Sequence, residues 1–198
     1  MRIALRVLGV LLAGLVSIRL IANVVTPAQR IYVIVGVPLV LIIAAVLVVV
    51  LAGRPRMLAS RVARLRPGAV VIAAVTVIET RADARMSGAV ERRWDELGGS
   101  PVALAALPDR IEVWAAGEDR PRWAITRRVE FPPTAVLATM PGAGTVNVQP
   151  TPALLCTDGV SRVTVLPVYS SVGATSPQRA QVSVHRALAE LGAPPSNM

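Results

Sequence analysis

The sequence predicts an α+β protein in two parts: an N-terminal transmembrane helical hairpin, then a mainly antiparallel β domain with one inserted helix and a C-terminal capping helix. Three observations lead there. Ile31 to Ala52 is a run of 22 residues without a charge. As a helix it would extend roughly 33 Å, enough to cross a hydrocarbon core of about 30 Å. Residues 1–66 hold nine Arg and no carboxylate, whereas residues 67–198 hold 12 Arg and 12 carboxylates and sum to zero. Beyond residue 68, short β-branched runs alternate with turn residues at about 8–12-residue spacing, as in antiparallel sandwiches and barrels.

Composition removes several function classes. The 198 residues carry 21 basic side chains, all Arg, against 12 acidic ones, for a formal charge of +9. Hydrophobic residues at 54% exclude disorder, and aromatics at 3% are too few for base-stacking platforms, so no nucleic-acid partner is expected. One Cys and one His exclude a disulfide framework and a Cys/His zinc site; neither a metal nor a cofactor is expected.

The membrane part, residues 1–53, is expected as two spanning helices at 3–25 and 31–52 joined by a tight turn over Asn23–Arg30. Arg6 and Arg19 interrupt the first, which leaves a signal peptide as a rival reading, with Arg2 and Arg6 ahead of an apolar Val7–Val16. No small-x-small cleavage site follows, and Arg19 lies where one should be, so a span is the better reading. Gly36 and Pro38 are tolerable kink points in the second. Arg54, Arg56, Arg61, Arg64 and Arg66 crowd its exit against Arg30 alone in the turn. The positive-inside rule then gives a multi-pass plasma-membrane protein with both termini cytoplasmic. Arg19, about 9 Å inside the first helix, either snorkels to the interface or pairs with a carboxylate of a partner membrane protein. Residues 54–67 form a basic juxtamembrane segment. Leu58, Val62 and Leu65 share one helical face there, and Arg61 and Arg64 flank it, the pattern of a helix lying against anionic lipid. Ordinary positive-inside anchoring accounts for the same residues.

Residues 68–192 suffice for one domain, with 193–198 as a tail. Gly68–Thr80 is apolar, β-branched and too short to span, hence a buried strand. Thr80 to Asp83 resembles a capping box opening a helix over Arg81–Leu97, with Met86, Val90, Trp94 and Leu97 at helical spacing and Gly98-Gly99 as its stop. Strands are expected at Val102–Leu107, Ile111–Ala116, Arg122–Thr126, Arg128–Phe131, Ala135–Met140, Thr145–Gln149, Ala153–Thr157 and Ser161–Val168, with an Asp158-Gly159 hairpin turn before the last. Ser176-Pro177 starts a final helix whose apolar stripe is Ala180, Val184, Ala187, Leu188 and Leu191.

A two-pass hairpin, a basic collar, a strand, a helix, about seven short strands and a capping helix resemble the membrane-anchored pleckstrin-homology-like proteins of bacteria. The most family-like stretch is Leu107-Pro-Asp-Arg-Ile-Glu-Val-Trp114, and the all-Arg, Ala/Val/Pro-rich composition looks actinobacterial. The layout is also similar to accessory subunits of actinobacterial respiratory supercomplexes. The resemblance implies a non-catalytic accessory or scaffold subunit, the hairpin packed on partner integral membrane subunits such as those of a respiratory cytochrome bcc–oxidase supercomplex, and the β domain on their cytoplasmic face. The alternative is a regulatory module that binds anionic lipid through Arg120, Arg122, Arg127 and Arg128 together with the juxtamembrane arginines.

Catalytic signals are weak. His185 lies one position off the apolar stripe of the last helix, with no nucleophile at a fixed spacing. Cys156 in a strand reads as a small buried hydrophobe. Asp83, Glu91, Asp95 and Glu96 interleave with Arg81, Arg85, Arg92 and Arg93, the pattern of surface ion pairs. Gly142-Ala-Gly144 is followed by a strand where a phosphate loop requires a helix. No enzymatic activity is expected.

Overall fold

The computed structural model describes residues 35–89, 94–141, 148–170 and 176–194. The chain divides into two units, Met1–Leu51 and Ala52–Met198. Ten elements are described in order: α1 (Val37–Leu65), β1 (Val70–Thr76), α2 (Ile78–Met86), β2 (Pro101–Ala106), β3 (Arg110–Ala115), β4 (Trp123–Thr126), β5 (Thr134–Pro141), β6 (Val148–Thr157), β7 (Arg162–Pro167) and α3 (Pro177–Glu190).

The expected transmembrane hairpin is corrected. Its first helix, 3–25, lies outside the described residues, as does Arg19. Among the described residues no helix is long and apolar enough to cross a membrane. The expected second span does not stop at Ala52 but continues as one helix through Arg54, Pro55, Arg56, Arg61 and Arg64. From Val37 to the residue before Arg54 is 17 residues, roughly 25 Å, against the about 30 Å of a hydrocarbon core. The multi-pass plasma-membrane assignment, with its cytoplasmic termini, is corrected with it. In the first unit, α1 exposes Leu39, Val40, Ile42, Ile43, Val46 and Val50.

In the second unit the seven strands form one antiparallel sheet ordered β4-β3-β2-β1-β7-β6-β5. Two meanders, β1 to β4 and β5 to β7, join where β1 pairs β7 (Ala74↔Pro167 to Thr76↔Val165). The sheet is curled. Ile125 of β4 and Cys156 of β6 share one core cluster although four strands separate them in the order. A hydrogen bond from the Thr126 N–H to the Asp158 carboxylate (3.1 Å) closes the same gap.

The concave face holds the main core: Ile72, Val102, Leu104, Ile111, Val113 and Leu154 meet Val184, Ala187 and Leu188 of α3. Ser176 caps α3 by accepting from the Arg179 N–H, and Pro177 fills the first turn, as the sequence requires. The other face of β2 and β3 presents Ala103, Ala105 and Trp114, which pack against Leu58 and Val62 of α1. Hence β2 and β3 are buried along almost their whole length rather than at alternate residues. This also corrects the interfacial helix expected over 54–67: two of the three residues of its apolar face, Leu58 and Val62, lie on the sheet, not toward lipid. Leu65 stays exposed.

Other local expectations change. Helix α2 starts at Ile78 and ends at Met86, not Leu97, because Ser87 and the left-handed Gly88 (φ 67°) break it; Met86 and Leu97 are exposed, and only Trp94 of the expected stripe is seen buried. Thr80 is not the cap residue: its Oγ1 accepts from the Val77 N–H (2.8 Å) and its hydroxyl donates to the Thr164 carbonyl (2.5 Å). Asp83 is buried, accepting from Arg162 Nε (2.6 Å) and the Thr164 N–H (2.8 Å). Residues 128–131 form a turn rather than a strand. Residues 145–147 of the strand expected at Thr145–Gln149 lie outside the described residues; from Val148 it runs on into the strand expected at Ala153–Thr157 as a single element, β6, which passes through Pro150 and Pro152. Those prolines are tolerated because β6 meets β7 only from Leu154 to Thr157, so at Pro150 and Pro152 the strand has β5 alone as neighbour.

An arginine-lined candidate binding groove

The C-terminal half of α1 runs beside the start of β2 and the end of β3. A groove of about 630 Å³ lies there, with Arg54, Met57, Leu58, Arg61 and Arg64 on the helix side and Trp94, Pro101, Ala115, Ala116 and Arg122 opposite. Burial of Leu58 and Val62 fixes the helix rotation. It leaves Arg54, Met57, Arg61 and Arg64, at i, i+3, i+7 and i+10, to one side of that buried stripe. Met57 is 68% exposed, so the groove has an apolar component open to a ligand.

The arginines differ in what they are bound to. Arg61 pairs with Asp119 on the β3–β4 turn. Arg122 is held by Glu118 (2.8 Å) and lies 4.4 Å from the Trp94 ring centre, while Trp94 meets Trp123 edge-on at 5.6 Å. Arg54 and Arg64 are exposed and have no ion pair among the described residues.

The remaining expected contact residues do not join them. Arg56 donates to the Tyr169 carbonyl. Arg66 donates to Glu112 (2.8 Å) and lies 5.1 Å from the Trp114 ring centre. The expected patch of Arg120, Arg122, Arg127 and Arg128 does not converge either. β4 intervenes, and its four residues put Arg122 and Arg127 roughly 16 Å apart along the strand. Arg120 sits in a shallow dent with Glu118 and Asp119. The Arg127 guanidinium ties the carbonyls of Leu107 (3.2 Å) and Leu191 (3.1 Å) together. Arg128 lines a different cavity.

Beneath the helix, Glu112 is 2% exposed and accepts from Arg66, from Arg110 Nε (3.1 Å) and from the Trp114 indole N–H (3.1 Å). Burial alone would raise its pKa; the hydrogen bonds from Arg66, Arg110 and Trp114 outweigh it and hold the carboxyl below its ordinary value. Sequence reasoning overlooked Glu112 and Trp114 as a pair. Their i, i+2 spacing in a strand puts both on one face, and a carboxylate beside a Trp in an otherwise apolar strand was the available signal. Trp94 and Met57 of the groove had no such signal, because the loop from residue 94 to β2 sets their meeting.

Other reactive groups are not assembled. His185 is exposed on α3. Cys156 is buried, and burial pushes its thiol up to about 12. Among the described residues no cluster of His, Cys, Asp and Glu could hold a metal ion. No protein family, curated protein or solved structure matches this chain.

Proposed function

We propose that the protein is a non-catalytic accessory or scaffold subunit of a larger assembly, and that the arginine groove receives an acidic segment of a partner subunit. The carrying observation is the pair Arg54 and Arg64. Two exposed guanidiniums without an ion pair among the described residues flank the exposed Met57 in a groove of about 630 Å³. Arginine at the edge of an apolar surface is the combination enriched in protein interfaces, where its planar fork takes carboxylates in two-point hydrogen bonds. The large apolar side chains exposed on α1 from Leu39 to Val50 support the same reading, since apolar patches left open on a monomer mark sites of association. The assembly that the resemblance suggests is a respiratory supercomplex.

The test is co-purification of the tagged full-length chain from its source cells. A defined assembly is expected for the native chain, and Arg54→Glu with Arg64→Glu should release the partner while leaving the thermal melt within a few degrees of native. Elution as a bare 20.8 kDa monomer would overturn the proposal. So would an assembly that survives both reversals, or binding of the native chain to anionic vesicles with no protein partner retained.

A further inference from the structure

A second cavity, of about 580 Å³, opens at the end of the curled sheet where the turn after β4 meets the residues following α3. The volume falls within the about 300–1,000 Å³ typical of small-molecule sites. Its buried floor is apolar, with Ile111, Ile125 and Cys156 from three strands and Leu191 from the end of α3, and Phe131 of the turn beside them; its exposed rim is polar, with Thr126, Arg127 and Arg128. The Phe131 wall is fixed in place, since its ring packs so closely on Gly159 that a Cβ there would stand 3.1 Å from it.

Nearly every polar group around this cavity is already engaged. The Thr126 N–H donates to Asp158, the Thr157 hydroxyl donates to the Ser161 carbonyl (3.0 Å), and Arg127 holds its two carbonyls. Asp158 also accepts from the N–H groups of Val160 (2.9 Å) and Ser161 (2.6 Å). The exception is the guanidinium of Arg128, which lines the cavity, is exposed, and has no close ion pair or hydrogen bond among the described residues, although its charge acts on the Asp158 carboxylate. One available cation on an apolar chamber matches one class of ligand: a small amphipathic monoanion, with an apolar chain and a single carboxylate. A phosphate dianion would lack a second donor, and a neutral chain would leave the arginine unused.

We infer that this cavity binds a medium-chain carboxylic acid, the chain against Ile111, Ile125, Phe131 and Leu191 and the carboxylate on Arg128. The site is separate from the arginine groove, so either can fail without the other.

Calorimetric titration of the full-length protein with decanoate, decan-1-ol and acetate tests it, together with the thermal melt in the presence of each. Decanoate should bind saturably at one site and raise the melting temperature. Decan-1-ol should bind about tenfold more weakly, and acetate should not bind measurably. Arg128→Gln should weaken decanoate about tenfold, whereas Arg64→Gln, in the other groove, should leave it unchanged. The inference is overturned by non-saturable uptake, by saturable binding that leaves the melting temperature unaltered, or by equal affinity in Arg128→Gln.

Discussion

Glu112 is a carboxylate sealed between a helix and a sheet and supplied with three donors. Its depressed pKa sets the sign of the pH dependence. A carboxyl held lower in the folded than in the unfolded chain contributes stability above the unfolded value, about 4.3 for Glu, and loses it as pH falls through the folded value. Asp158 acts in the same direction: burial would raise it, but the N–H groups of Ser161, Val160 and Thr126 hold it down. Urea unfolding should therefore give a level stability from pH 7 to about 5 and a decline below about 4. Glu112→Gln should make that decline shallower; an identical acid limb would refute the assignment. Arg66→Ala should cost about 2 kcal/mol, less than for a fully buried pair because Arg66 is itself one-third exposed and Arg110 remains. Gly98→Ala tests a different constraint. The residue has φ +87°, and a Cβ there would stand 2.7 Å from the Thr76 carbonyl oxygen, so a loss of about 1–3 kcal/mol is expected in the same assay.

Among the elements, α1 departs furthest from its sequence expectation. The residues expected to meet lipid, Leu58 and Val62, instead cover Ala103, Ala105 and Trp114. Leu58→Ala should cost about 2–3 kcal/mol of the stability of the β unit, read by chemical unfolding. A loss below about 0.5 kcal/mol, usual for a surface site, would show that the helix does not pack there. The strands β1 to β4 and β7 were legible from β-branched runs and turn residues, and α3 from its cap and stripe. Helix α2 was not. Met86, Val90, Trp94 and Leu97 keep helical spacing, but spacing alone does not reveal that Ser87 and Gly88 end the helix after Met86, or that Asp83 is drawn into the core by Arg162 and Thr164. In the groove, the sequence identified Arg54, Arg61, Arg64 and Arg122 but grouped them wrongly, because strand β4 and the loop before β2 decide which arginines face one another.

At the scale of the molecule, the unit Ala52–Met198 contains the whole sheet, α2, α3 and the part of α1 that covers β2 and β3. A chain beginning at Ala52 should therefore unfold in one cooperative transition, its far-ultraviolet circular dichroism short of the helical signal of the α1 residues before Ala52; a broad, non-cooperative melt would contradict this. The sequence by itself determined the charge distribution, an acid-free arginine-rich first third and a neutral remainder, and the antiparallel character of the β part, because charges and β-branched periodicity are local properties. What the arginines do was decided only by the tertiary structure. Arg56, Arg61 and Arg66 have partners more than 40 positions away along the chain, Tyr169, Asp119 and Glu112, whereas Arg54 and Arg64 are left exposed at the groove. Curling of the sheet and the seating of α1 on its outer face bring those partners together, and no local pattern encodes a contact across that separation.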